Sequence, residues 1–124
     1  MSILAAIATA CLPASAAEPP TRVVSLNLCI DQLALALAAP GQLVGVSDVA
    51  QDPHLSAAWR SARALPAVHM RAEEVLARRP DLVLLNADAP AHVVALLRWA
   101  GVRVAMFPEA VTFDSAVDQV RRVA

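Results

Sequence analysis

Lysine is absent from the 124-residue chain, so ten arginines carry all of the basic charge against eleven acids, for a net charge of −1. No basic stripe exists to neutralise a phosphate backbone, and nucleic acid is not an expected partner. Tyrosine is absent too, and aromatic residues make up only 3% of the chain, too few for base-stacking platforms or a sugar-binding wall. Glycine occurs three times, at Gly41, Gly45 and Gly101, and none falls in the Ser25–Cys29 turn where a glycine-rich phosphate loop would lie. That argues strongly against a dinucleotide-binding or P-loop reading. The three histidines, His54, His69 and His92, form no HxxxH or HxH pair, so no resident metal site or cofactor is expected from their spacing. What the chain has in quantity is apolar side chain: 58% hydrophobic, with mean hydropathy +0.56, as in a folded domain rather than a disordered segment.

Part of that excess sits at the start. Residues 1–17 carry no charge, run through Ile3-Leu4-Ala5-Ala6-Ile7-Ala8, and end in the small-residue tract Ala14-Ser15-Ala16-Ala17. This is the pattern of a secretory signal peptide, although its positive n-region is missing. Cys11 follows Ala8-Thr9-Ala10, a poor match to a lipoprotein cleavage box, so periplasmic export is preferred to lipid anchoring. Removal of the segment would leave Cys29 as the lone cysteine, unable to close an internal disulfide.

From Thr21 onward, short apolar runs alternate with longer periodic segments. Arg22–Leu26, Leu43–Val46, Leu82–Leu85 and Val102–Phe107 read as strands. Helical patterns cover Ile30–Ala39, Arg71–Arg79, Pro90–Ala100 and Phe113–Ala124, with a further helical turn within Leu55–Arg63 and a polar loop over Ser47–Pro53. Glu73 and Glu74 open one helix and Arg78 and Arg79 close it, as the helix dipole favours; Gly101 caps the next. The last helix places Phe113, Ala116, Val117, Val120 and Val123 at helical spacing as its inner face, and Trp99 is expected to pack behind the sheet. The alternation predicts an α/β fold, a Rossmann-like parallel sheet of about four strands with flanking helices.

Ligands of such sheets lie beyond the carboxyl ends of the strands. There the chain offers Asn27, Leu28 and Cys29, then Ser47 and Asp48, then Asn86 and Asp88, then Pro108 and Glu109. Cys29, at a helix start, is either a reactive thiolate or a small residue packing at a turn. Asp31 is either a nucleophile or, as preferred, a first-turn carboxylate satisfying backbone N–H groups. His69-Met70 precedes a helix on a loop that can line the cleft, and both side chains can ligate iron or cobalt.

The segments Arg22-Val23-Val24-Ser25-Leu26-Asn27, Leu43-Val44-Gly45-Val46-Ser47, Ala72-Glu73-Glu74-Val75-Leu76-Ala77-Arg78-Arg79-Pro80-Asp81-Leu82-Val83 and Leu96-Leu97-Arg98-Trp99-Ala100-Gly101-Val102 resemble the N-terminal lobe of substrate-binding proteins of iron-chelate and cobalamin ABC importers. The resemblance implies two α/β lobes joined by a long helix and no enzymatic chemistry. A ferric siderophore, haem or cobalamin would sit in the cleft between the lobes. It also implies a permease and ATPase complex at the inner membrane as partner, with Glu73, or Glu74 if the register slips, as the docking carboxylate. Residues 18–124 would form the N-terminal lobe, the C-terminal lobe being absent. Its ligand wall is placed by strand ends and loops on Asn27, Leu28, Cys29, Asp48, Val49, His69, Met70 and Asn86. Half a cleft is expected to hold its ligand weakly. Two alternatives stay open: a small Rossmann-like hydrolase using Cys29 or Asp31, and a truncated fragment without function.

Overall fold

The computed structural model describes residues 18–124, and the segment read as a signal peptide, with Cys11, lies outside the described residues. Five strands, β1 (Val23–Ser25), β2 (Leu43–Ser47), β3 (Ala67–Val68), β4 (Leu82–Asn86) and β5 (Arg103–Phe107), form one sheet in the order β3-β2-β1-β4-β5, every neighbouring pair parallel. The helices are α1 (Leu28–Leu37), α2 (Trp59–Ala62), α3 (Ala72–Ala77), α4 (Ala91–Trp99) and α5 (Phe113–Val123). The polar loop after β2 begins with a 3-10 turn over Asp48–Gln51. Among the described residues no helix is long and apolar enough to cross a membrane.

The α/β class and the parallel sheet stand, with one strand more than the sequence predicts. Strand β3 has only two residues and carries no periodicity of its own. It exists because Ala67 and Val68 pair with Val46 and Ser47. Gly45 permits that approach, since a Cβ there would come within 2.8 Å of Val68 Cγ2.

Both faces of the sheet are covered, which is why its strands read as unbroken apolar runs. Successive side chains alternate between the faces. Val24, Val83 and Leu85 join Val75 of α3 and Val93, Val94 and Leu97 of α4 in one core. Val23, Leu84 and Phe107 join Ile30 and Ala34 of α1 in the other.

Two expected faces are corrected. Trp99 is 88% exposed, because α4 buries Val93, Val94 and Leu97, and a residue two positions past Leu97 lies roughly 200° around the helix. On α5, Phe113 is 83% and Val120 40% exposed, while the polar Gln119 is buried. The helix is turned by its polar anchors: Gln119 Nε2 donates to the Pro108 carbonyl, and Arg122 stacks 4.5 Å from the Phe107 ring centroid while donating to the Met106 carbonyl at 2.8 Å. Val123 alone of the expected face packs on the core.

The starts of α1 and α5 lie on the edge where ligands of such folds bind, and the end of α4 lies on the opposite one. Asn27 Oδ1 accepts the amides of Cys29 at 2.9 Å and Ile30 at 3.1 Å, starting α1 directly after β1. Gly101, at φ +82°, ends α4, as its position in the sequence suggests. Thr112 and Ser115 form a reciprocal capping box at the start of α5.

Candidate functional site

The chain leaves β1 in opposite directions: β2 and β3 build one side of the sheet, β4 and β5 the other. The loops after β1 and β4 therefore part at the middle of the carboxyl edge, where open α/β sheets form their crevice. A groove of about 510 Å³ lies there. Asn27, Leu28 and Cys29 form its wall from β1, Asn86, Ala87 and Asp88 its wall from β4, and Pro108, Glu109 and Ala110 its wall from β5, with Gln119 of α5 beneath. Gln119 was not legible as a lining residue, since it stands on a helix whose apolar residues pointed to a different inner face.

The wall expected from the sequence thus divides. Asn27, Leu28, Cys29 and Asn86 meet in the groove. Asp48, Val49, His69 and Met70 belong to a second cluster, beyond β2 and β3. Met70 is half-buried and packs against the core of α3 and α4, whereas Val49 is 37% exposed on its 3-10 turn. His69 is held by the first turn of α3: Glu74 Oε2 accepts its backbone amide at 3.0 Å and lies 2.9 Å from its ring Nδ1. Its Nε2 stands 3.7 Å from Asp48. Arg71 pairs with the other oxygen of Glu74. The bonds from the His69 amide and ring, with Arg71 beside them, lower the Glu74 carboxyl to about 2. Glu73, one residue away, is exposed and makes no hydrogen bond or ion pair with any described residue.

Asp31 lies under the groove rather than in it. It is fully buried, accepting the Asn27 amide at 3.3 Å and the Ser47 hydroxyl, and so ties α1 to the ends of β1 and β2. Ser25 is buried beside it without a well-formed hydrogen bond. Burial raises the Asp31 carboxyl to about 6, despite the opposing pull of Ser25, Ser47 and the Asn27 amide. A carboxylate closed off from solvent cannot reach a substrate, which removes Asp31 as a nucleophile. Cys29 is exposed with a free thiol and no histidine bonded to it among the described residues. Among the described residues no three His, Cys, Asp or Glu side chains converge to hold a bare metal ion.

No protein-family model matches the sequence, and no match is found among curated proteins. Solved structures do match. A periplasmic haem-binding protein from Pseudomonas aeruginosa superposes with a TM-score of 0.71 at 29% identity, over 85% of this chain and 37% of that one. The periplasmic haem-binding protein BhuT, solved with two haems, gives 0.69 at 32% identity, over 83% of this chain and 40% of that one. This is the fold of a periplasmic substrate-binding protein lobe. The periplasmic vitamin B12-binding protein BtuF of Vibrio cholerae shares it, with a TM-score of 0.67 at 25% identity over 85% of this chain and 40% of that one. The chain spans about two fifths of the length of these binding proteins. In the lobe fold the carboxyl edge of the sheet, with the groove and His69, is the edge free to face a ligand.

Proposed function

We propose that this lobe is the N-terminal wall of the ligand cleft in the periplasmic substrate-binding component of an ABC importer for a metal chelate. The single observation that carries the reading is the shared edge: the groove and the His69 loop both stand on the carboxyl side of a sheet whose fold and near 30% identity match periplasmic haem-binding proteins. The chemistry of His69 supports it. A carboxylate on Nδ1 favours the tautomer with its lone pair on Nε2, the arrangement found behind metal-ligating histidines, and a ligand reaching Nε2 would take the place of Asp48, 3.7 Å away. His69 would then ligate a chelated iron or cobalt, and the groove would meet the periphery of the chelate. No bond in the ligand is broken, so the protein is a carrier and not an enzyme. Residues 1–17 direct it to the periplasm.

Docking to the permease falls to Glu73 rather than Glu74. Glu74 is already engaged by His69 and Arg71, and moving it would release the loop that holds His69. Glu73 is exposed, and an exposed charge acts on encounter and orientation with a basic permease surface.

The test is a titration of the chain with haem, a ferric siderophore and cobalamin, followed by the haem absorption band and by backbone amide shifts. A single wall covers part of a ligand that a closed site would enclose, so dissociation constants above about 1 μM are expected. His69→Ala should weaken haem binding about tenfold and change the iron spectrum while leaving the melting temperature in place. The reading fails if none of the three ligands moves the amides of Cys29, His69 or Asn86 in a saturable way.

A further inference from the structure

We infer that Asp31 is a positioning residue for the ligand cleft: its side chain bridges the two halves into which the carboxyl edge of the sheet divides, and holds the groove and the His69 loop at a fixed spacing. The inference deepens the chelate-binding reading and rests on it where a ligand is used.

The division follows from the strand pairing. β1 and β2 pair at Val23 with Leu43 and at Val24 with Gly45, with a shift of register between, and these are their last paired residues. Ser25 then pairs with Leu84 of β4, and the Leu26 amide donates to the Leu84 carbonyl at 3.0 Å. Val46 and Ser47 pair instead with Ala67 and Val68 of β3. The end of β1 thus stays with β4 and β5, whose ends carry the groove, while the end of β2 stays with β3, which leads into His69. Past Val24 and Gly45 the spacing of the two ends depends on side chains.

Asp31 crosses that gap. Its Oδ1 accepts the amide of Asn27, a groove residue, at 3.3 Å, and its Oδ2 accepts the hydroxyl of Ser47 at the end of β2. Ser47 precedes the 3-10 turn whose first residue, Asp48, lies 3.7 Å from His69 Nε2. One buried side chain therefore holds a residue of each half, next to the groups that would face a ligand. A second polar tie from α1 is on the surface and past the 3-10 turn, where Gln32 Oε1 accepts the Ala57 amide at 3.1 Å.

Stability does not account for a carboxylate here. Asp31 is fully buried, no cation pairs with it among the described residues, and burial acts against its charge. Apolar side chains would fill the space without that cost, whereas a buried polar bridge selects one geometry. The buried Ser25 hydroxyl beside it has no well-formed bond and is a spare donor if Ser47 is removed.

The experiment compares the full chain with two variants. The double variant Asp31→Leu, Ser47→Ala cuts the bridge and leaves no charge buried, so it should melt no lower than the parent. Asp31→Asn keeps an oxygen for the Asn27 amide and an NH2 that donates to Ser47 Oγ, and is the conservative rescue. If the double variant does not fold, Ser47→Ala alone takes its place, with Ser25 as the remaining donor. Without ligand, spin labels on Cys29 and on Val49→Cys, in a Cys11→Ser background, report the spacing of the halves. Their distance distribution should widen about twofold when the bridge is cut and keep the parent width in Asp31→Asn. With haem, His69→Ala should cost about tenfold in the parent and in Asp31→Asn, but only about twofold in the cut variant, where groove and histidine no longer meet one ligand together. Equal label widths, or the same cost of His69→Ala in all three backgrounds, overturns the inference and leaves chelate binding intact. If the parent binds no haem, haem drops out of the chelate reading and the label distances alone decide: widening upholds the bridge, and equal widths overturn it.

Discussion

The ring Nδ1 of His69 and the backbone amide of the same residue share one oxygen, Oε2 of Glu74, at 2.9 and 3.0 Å. One carboxylate thus fixes both the loop after β3 and the imidazole it carries. The folded-state Glu74 value of about 2 is below its ordinary 4.5, so its contribution is complete above about pH 4.5 and is lost as pH falls towards 2.

Replacing Glu74 with Gln should therefore act at neutral pH without unfolding the chain, because the pair is on the surface. Hydrogen-exchange protection of the His69 amide is expected to fall about tenfold in the variant, with a small change in melting temperature. Unchanged protection would mean that the loop is held by its neighbours and not by the carboxylate.

Asp31 has the opposite sign. Its carboxyl rises from 3.8 to about 6 on folding, chiefly through burial, so the folded state holds a proton that the unfolded state has lost across that window. Stability from this group is greatest below pH 4, declines as pH rises to 6, and is level above that. About two pKa units correspond to at most ~3 kcal/mol. The Asp31→Asn variant, which keeps an oxygen for the Asn27 amide, should gain on the parent protein by roughly 2–3 kcal/mol between pH 4 and pH 7. Urea unfolding at the two pH values measures the difference, and a gap that does not change with pH contradicts the assignment.

Gly45 sets the spacing between β2 and β3. Its missing Cβ would lie 2.8 Å from Cγ2 of Val68, a stiff β-branched side chain that is 1% exposed. Gly45→Ala should destabilise the fold by about 1–3 kcal/mol and shift the amide resonances of His69, which follows β3 directly. Adding Val68→Ala should restore much of the loss, and a strictly additive double variant would show that the two positions do not compete for the same space.

Chain order and class were set by local sequence. Apolar runs of four or five residues, helical spacing between them and Gly101 at a helix end sufficed for four strands and most helices, because each signal is contained in a few consecutive residues. Placing candidate residues after strands also brought Asn27, Cys29 and Asn86 together, since a parallel sheet puts all of those ends on one edge. What depends on distant partners was not contained in any window. Strand β3 forms by pairing with β2, Asp31 is buried by Ser47 sixteen residues away, and α5 takes its orientation from Phe107 and Pro108, so that Gln119 rather than Phe113 turns inward. Periodicity tells which residues share a face of a helix, but only the surface that the helix meets decides which face is buried.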